Sequence, residues 1–374
     1  MTNDQIPMTD DKAYVIDVKM PSGMYDVRIG PGLIHTLGEL LIQRDLMGKI
    51  ALITDDIVGP LHAESVLRAL SGAGLNAVVV TMAAGEAHKN LDTVRKLYDS
   101  LLDAQIDRSS TILALGGGVV GDTAGFVAAT YMRGLRLVQA PTTLLAMVDA
   151  SIGGKVGVDL PRGKNLVGAF KQPSLVVADL GVLATLPLID FVAGFAEVIK
   201  HAIIADPELF DHVESHGWEP LAWVLQRAID VKRRVVEEDP FEQGRRVVLN
   251  LGHTFGHALE VLSDYELRHG FAVSIGLLAA TRVALRLGLC SPDLERRILG
   301  VLVQYGLPIS FSGASPAQVW NAMAHDKKRV GDRLRFVLPR AIGEVIVTDE
   351  VSKEVVIEVL TQMHDEGTEV EMVA

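Results

Sequence analysis

Apolar positions follow two rhythms along this chain, and the change from one to the other divides it. In the first half, short apolar runs lie between clusters of Gly, Pro, Asn and Asp, the signature of strands. Residues 13–18 and 24–29, separated by Pro21-Ser22-Gly23, predict a hairpin; 50–54, 77–80, 111–115, 136–140 and 175–178 predict further strands. Helical periodicity intervenes. Leu91, Val94, Leu97, Leu101 and Leu102 share one helix face, with Asn90 as its N-cap. Strands alternating with helices imply a parallel sheet covered on both faces. After Pro187 the 3.6-residue period dominates, predicting helices over 191–204, 221–237, 254–262, 272–287, 292–304 and 353–363. Only 333–338 and 345–347 read as extended there. The expectation is an α/β chain: a parallel-sheet domain over residues 1–185, then a mainly α-helical domain over residues 186–374.

A length of 374 residues agrees with two domains. Cys290 is the single cysteine, so no internal disulfide is possible and a reducing, cytoplasmic setting is expected. Residues 1–11 are polar and predict disorder, with neither the basic nor the apolar region of a signal peptide. No apolar run reaches the roughly 20 residues that cross a bilayer, so no membrane partner is expected. The net charge of −12 argues against nucleic acid, which needs a basic footprint. Small anionic ligands are untouched by that argument, because they respond to local charge.

The strongest local signal is Leu113-Ala114-Leu115-Gly116-Gly117-Gly118-Val119-Val120-Gly121-Asp122. A strand runs into G-x-G-x-x-G, with a helix expected from residue 123; glycines let backbone approach a pyrophosphate at the helix N-terminus. A bare strand-to-helix turn would carry the same glycines, but this placement favours a nucleotide. The acidic residue usual about 20 positions on is missing, since Gln139-Ala140-Pro141 stands there, and Asp55 is the substitute for holding the ribose. Lys155 and Lys164 follow on two glycine-rich segments, read as loops, where ammonium groups suit phosphate or carboxylate capture.

The second signal is His253 and His257, four apart on one helical face, with Glu260 continuing the stripe and His269 sixteen residues beyond His253. Upstream, Glu197, Lys200 and His201 share a face. Glu197–Lys200 could be a mere surface pair, worth about 0.2–0.5 kcal/mol. Yet three histidines in glycine-punctuated apolar sequence suit a catalytic divalent metal, which takes three N/O ligands. Spacing alone leaves open Glu197 or Glu260, and which histidines.

Taken together, Gly116–Asp122, Tyr131-Met132-Arg133-Gly134, 141–155, Gly163-Lys164-Asn165, Ala196-Glu197-Val198-Ile199-Lys200, 249–257 and Asp326-Lys327-Lys328 make the sequence similar to the 3-dehydroquinate synthase family of sugar-phosphate cyclases. The resemblance implies a metal, zinc or cobalt, on Glu197, His253 and His269, with Glu260 structural. It implies NAD on Asp55, Gly85, Glu86, Lys89, Gly118, Val119, Val120, Gly121, Asp122, Thr142, Thr143, Leu183 and Thr185, with Lys155 and Lys164 also near it. Substrate contacts fall on Asp149, Lys155, Lys164, Asn165, Lys200, Lys232, Arg246, Asn250, His257 and Lys327 or Lys328. Arg133 would reach across a homodimer. The implied substrate is a small sugar-acid phosphate, 3-deoxy-arabino-heptulosonate 7-phosphate. It would be oxidised by NAD, lose phosphate, be reduced again and close by an intramolecular aldol. Other cyclases of the superfamily, or a metal-dependent polyol dehydrogenase, are the alternatives. One position departs from the family: Phe271 stands where His-Gly-Glu-Ala-Val is usual, which bears on packing near His269.

Overall fold

The computed structural model describes residues 12–327 and 334–373; the lead-in 1–11 and Lys328 lie outside the described residues. In chain order the elements are β1 (Tyr14–Met20), β2 (Gly23–Gly30), α1 (Leu37–Gln43), β3 (Ile50–Asp55), α2 (Glu64–Gly72), β4 (Ala77–Met82), α3 (Leu91–Asp103), β5 (Thr111–Gly116), α4 (Gly118–Thr130), β6 (Arg136–Pro141), β7 (Lys155–Leu160), β8 (Gly163–Phe170), β9 (Leu175–Asp179), α5 (Leu188–Ala205), α6 (Pro207–His216), α7 (Leu221–Glu238), α8 (His253–Leu262), α9 (His269–Arg286), α10 (Pro292–Gln304), α11 (Pro316–Lys327), β10 (Phe336–Ala341), β11 (Glu344–Thr348) and α12 (Lys353–Val373). They gather into two compact units, Met1–Phe191 with Glu219–Phe241, and Val192–Trp218 with Glu242–Ala374.

The first unit holds a seven-stranded sheet in the order β1-β2-β9-β6-β5-β3-β4. Only β1 and β2 pair antiparallel, through the hairpin that Pro21-Ser22-Gly23 signals; the other pairings are parallel. Strands β3, β5 and β9 are buried along their whole length, which explains why they read as unbroken apolar runs rather than alternating ones. From β3 the chain crosses to β4 on one side; from β5 it crosses to β6 on the other. The direction therefore reverses between the neighbours β3 and β5, and the crevice at their carboxyl ends is where open α/β sheets take ligands. Helix α7, which the sequence groups with the helical half, lies in this unit and packs on β1 and β2. Its periodicity shows that Leu221, Val224, Leu225, Ala228 and Val235 are buried, but not against which element.

One local expectation is corrected. The segments around Lys155 and Lys164 are not loops but the two strands of an antiparallel hairpin, β7 and β8. Gly157 and Gly168 cross there with their backbones in close approach, so side-chain alternation is absent and the strand signal is lost.

The second unit contains α5 from Val192 on, α6, α8 to α12 and the hairpin of β10 with β11. Helices α8 and α9 pack closely because glycine lines the crossing: a Cβ on Gly276 would sit 2.0 Å from the Gly252 carbonyl oxygen. That approach sets the start of α8 against the body of α9, and His253 and His269 meet with their rings 5.2 Å apart.

Candidate functional site

In the first unit Asp55 and the Gly116–Asp122 turn stand at the carboxyl ends of the neighbouring strands β3 and β5. Asp55 ends β3, and its Oδ1 accepts the backbone N–H groups of Ile57 (3.0 Å) and Val58 (2.7 Å), shaping the turn it begins. Helix α4 starts at Gly118, earlier than residue 123, because the glycine run hides a helix start from propensity. Gly118, Val119, Val120, Gly121 and Asp122 are therefore its opening residues, and no side chain caps that end. Uncapped N–H groups at a helix start suit a pyrophosphate. Gly121 packs tightly on Gln139: a Cβ there would lie 3.0 Å from Gln139 Oε1. Gln139, standing where the usual acid is missing, donates from Nε2 to the Gly121 carbonyl (3.1 Å). Thr142 donates its N–H to the Gly116 carbonyl (2.9 Å), which sets Thr142 and Thr143 beside the turn. Thr185 closes the short 3-10 helix Leu180–Thr185, in which Leu183 is buried. Its hydroxyl donates to the Val182 carbonyl (2.9 Å), so it accepts from His62 Nε2 (2.8 Å). Burial holds His62 below the ordinary histidine range against the pull of Asp179, which keeps it neutral.

A cation network joins three segments of the same unit. Lys89 Nζ donates to Asp122 Oδ2 (2.6 Å) and Asn165 Oδ1 (2.7 Å), and Lys164 Nζ lies 3.4 Å from Glu86 Oε1. Burial pushes the Lys89 ammonium down, but Asp122, Glu86 and Asp159 outweigh it and raise its pKa, so it stays charged. Gly85, with φ +98°, makes the turn into Glu86. Lys232 reaches from α7 to Asp149, donating to its Oδ1 (2.5 Å) and its backbone carbonyl (2.6 Å). Lys155 is exposed at the start of β7. Arg133 is exposed on a turn where Met132 (φ +49°) and Arg133 (φ +70°) both take the left-handed conformation.

In the second unit, α5, α8 and α9 bring three side chains to a point. Glu197 Oε1 lies 3.6 Å from His253 Nε2 and 3.5 Å from His269 Nε2. Tetrahedral zinc with bonds of about 2.0–2.1 Å spaces its ligands about 3.3–3.4 Å apart, so these atoms stand near ligand separation. Both imidazoles engage their other nitrogen: His253 Nδ1 meets the Leu251 carbonyl (3.1 Å) and His269 Nδ1 meets Glu260 Oε2 (3.4 Å). Those acceptors favour the proton on Nδ1 and leave Nε2 for a cation, as outer partners do in metal sites. Lys200 pairs with Glu197 Oε2 in a fully buried ion pair, leaving Oε1 towards the histidines. Burial and the Lys200 ammonium hold His253 well below the histidine range. Burial also presses on His269, but hydrogen bonds to Glu197 and Glu260 prevail and raise it to about 10. The negative field that holds that proton equally favours a divalent cation.

Of the two glutamates that spacing leaves open, Glu197 stands between the two histidines and Glu260 behind one of them. A second set, His257, Glu260 and His269, also converges within 4.8 Å; it lacks Glu197, whose Oε1 faces both Nε2 atoms. His257 is exposed, with its ring 5.2 Å from that of His253. Arg246 (buried) and Asn250 (half-buried) lie on the 3-10 turn Arg245–Asn250 just before α8. Lys327 ends α11, and its side chain lies outside the described residues, as does all of Lys328. Sequence reasoning missed His62, Asp159 and the supporting role of Gln139, all of which act through tertiary hydrogen bonds that leave no periodic trace.

Residues 79–193 match the family described as 3-dehydroquinate synthase N-terminal, and residues 194–329 the one described as 3-dehydroquinate synthase C-terminal. The chain is 43% identical over 360 residues to a 3-dehydroquinate synthase of Nostoc punctiforme, covering 93% of this chain and 99% of that one. Among solved structures it resembles 2-epi-5-epi-valiolone synthase of Streptomyces hygroscopicus with NAD+ and Zn2+ bound (TM-score 0.84, 30% identity, 91% of this chain and 96% of that one). It also resembles 2-deoxy-scyllo-inosose synthase complexed with carbaglucose-6-phosphate, NAD+ and Co2+ (TM-score 0.85, 25% identity, 94% of this chain and 100% of that one).

Proposed function

The chain belongs to the 3-dehydroquinate synthase family, and from that premise we propose that it converts 3-deoxy-D-arabino-heptulosonate 7-phosphate to 3-dehydroquinate and phosphate, as a carbon–oxygen lyase of the shikimate pathway. The observation that carries the reading is the Glu197–His253–His269 cluster, with the Nδ1 atom of each histidine already held by its own acceptor. When bound, NAD supplies a hydride acceptor and donor, and zinc or cobalt supplies a Lewis acid. Everything else falls to the chain. The start of α4, with Asp55, Gly85, Glu86, Lys89, Thr142, Thr143, Leu183 and Thr185, binds and orients the dinucleotide. Lys155, Lys164, Asn165 and Lys232, with Asp149 orienting Lys232, hold the anionic ends of the substrate. Lys200, Arg246, Asn250 and His257 are read as substrate groups as well, and Lys327 or Lys328 adds a further cation. His257 and Asn250 serve the hydroxyl and phosphate oxygens, and the phosphate itself acts as base for its own elimination.

Buried cations argue for a doubly anionic substrate. Lys200, Lys232 and Arg246, read above as substrate groups, are buried cations, two of them held by Glu197 and Asp149, and with Lys155 and Lys164 they suit a doubly anionic substrate better than a neutral polyol. Global charge therefore bears on nucleic acid and not on the site. The test supplies NAD, zinc and the heptulosonate phosphate, and follows inorganic phosphate, dehydroquinate and NADH. The expected result is phosphate release matched by dehydroquinate, with NADH never accumulating and with a chelator abolishing turnover. Absence of phosphate release by metal-loaded protein, or one NADH per turnover, overturns the reading.

We also read the chain as a cytoplasmic homodimer, with Arg133 serving the partner's site. The exposed, left-handed turn that presents it supports this. Mixing Arg133→Ala with Glu197→Ala protein is expected to restore part of the activity that each lacks alone. No recovery after subunit exchange overturns shared sites.

A further inference from the structure

The tip of the β7–β8 hairpin departs from regular pairing. Val158 faces Val167 and Leu160 faces Gly163, so Lys164, Asn165 and Leu166 of β8 stand opposite the single residue Asp159. A bulge of this kind re-aims side chains and leaves backbone groups to be satisfied off the ladder. Asn165 accommodates it with φ +55°, and its N–H donates to Asp159 Oδ1 at 2.6 Å. The Asp159 N–H in turn donates to the Lys89 carbonyl (2.7 Å), beside a parallel bridge between Asn90 and Asp159. Lys89 Nζ then donates to Asn165 Oδ1 (2.7 Å). The result is a closed ring of three hydrogen bonds: Asp159 to Asn165, Asn165 to Lys89, and Lys89 back to Asp159.

We propose that Asp159 is a positioning residue that fastens the bulged hairpin to the β4–α3 connection, and so fixes Lys89 and Asn165 in register with Asp122. The role rests on the reading above in that Lys89 and Asn165 are ligand-binding groups; Asp159 itself touches no ligand. Two constraints make it the keystone of the ring. All three members use one backbone group and one side chain, but only Asp159 turns its side chain on the backbone of the bulge, accepting the Asn165 N–H. Its carboxylate also lies among Glu86, Lys89 and Lys164, so loss of the hydrogen bond frees a bulge that carries two of the expected anion-binding groups, Lys164 and Asn165.

The test compares Asp159→Ala with Asp159→Asn, which keeps an Oδ1 acceptor. Amide hydrogen exchange over residues 161–170 reads the fastening directly, and titration with NAD alone reads its consequence. In Asp159→Ala, exchange over the hairpin tip is expected to accelerate, and NAD affinity to fall about tenfold, the upper scale of one ordinary hydrogen bond. KM for the sugar phosphate should rise with kcat changed less than about threefold, while Asp159→Asn stays near wild type in all three. Exchange and NAD affinity unchanged in Asp159→Ala, or equal losses in Asp159→Asn, overturn the proposal. Should the alanine variant fail to fold, Asp159→Ser carries the same expectation. A wild-type protein that binds no NAD sinks the functional reading instead, and the exchange measurement still decides the fastening.

Discussion

Glu197→Ala is expected to emerge from gel filtration without its divalent ion, without activity, and about 3–5 kcal/mol less stable. Two losses coincide at one side chain. Its Oε1 is the acid facing both His253 Nε2 and His269 Nε2, and its Oε2 is the counter-charge of Lys200, which is 1% exposed. Removing one member of a buried pair leaves the other charge without it, which is far costlier than removing both. Glu197→Ala combined with Lys200→Met is therefore expected to regain most of the stability in urea unfolding but none of the metal. Glu260→Gln supplies the contrast. It keeps an oxygen acceptor behind His269 Nδ1 and removes only charge, so metal affinity should drop about 10–100-fold with little change in unfolding. Stoichiometric metal retained by Glu197→Ala would place the acid ligand elsewhere.

That distinction between two glutamates marks how far the sequence could be read. Each lies on a helix face shared with other candidate residues, and helical periodicity ranks neither, because the ranking depends on how α5 and α8 pack against α9. The buried strands β3, β5 and β9 were legible because full burial leaves unbroken apolar runs. The glycine turn was legible because close backbone approach admits few other residues. The β7–β8 hairpin was not, since glycines at its crossing erase alternation, and α4 hid its first turn behind residues of poor helix propensity. Phe271 proves compatible with the cluster: it sits half-buried in the first turn of α9, and Glu197, His253 and His269 keep their ligand separation beside it.

The residue between His269 and Phe271 yields the other large effect. A Cβ on Gly270 would lie 1.7 Å from the Ala193 carbonyl oxygen, 2.4 Å from its carbon and 2.9 Å from its Cα. No rotamer relieves an overlap with backbone, so Gly270→Ala must push α9 away from α5. Ala193 lies one helical turn before Glu197 on α5, and Gly270 adjoins His269 on α9. The displaced pair of helices is thus the pair that holds the first and third ligands. A separation of about 1 Å would carry His269 Nε2 beyond the span that bonds of about 2.0–2.1 Å can close. Overpacking of this kind costs about 1–3 kcal/mol or more. Metal affinity should fall at least about 100-fold, and a bound Co2+ ion should lose the visible bands of a tetrahedral site. Gly300 on α10 provides the control, because a Cβ there meets nothing within 4 Å. Gly300→Ala should instead gain about 0.5–1 kcal/mol from helix propensity, with metal binding intact. Wild-type Co2+ spectra in Gly270→Ala would show that the approach of α9 to α5 does not set the site; loss there with retention in Gly300→Ala is the result the packing requires.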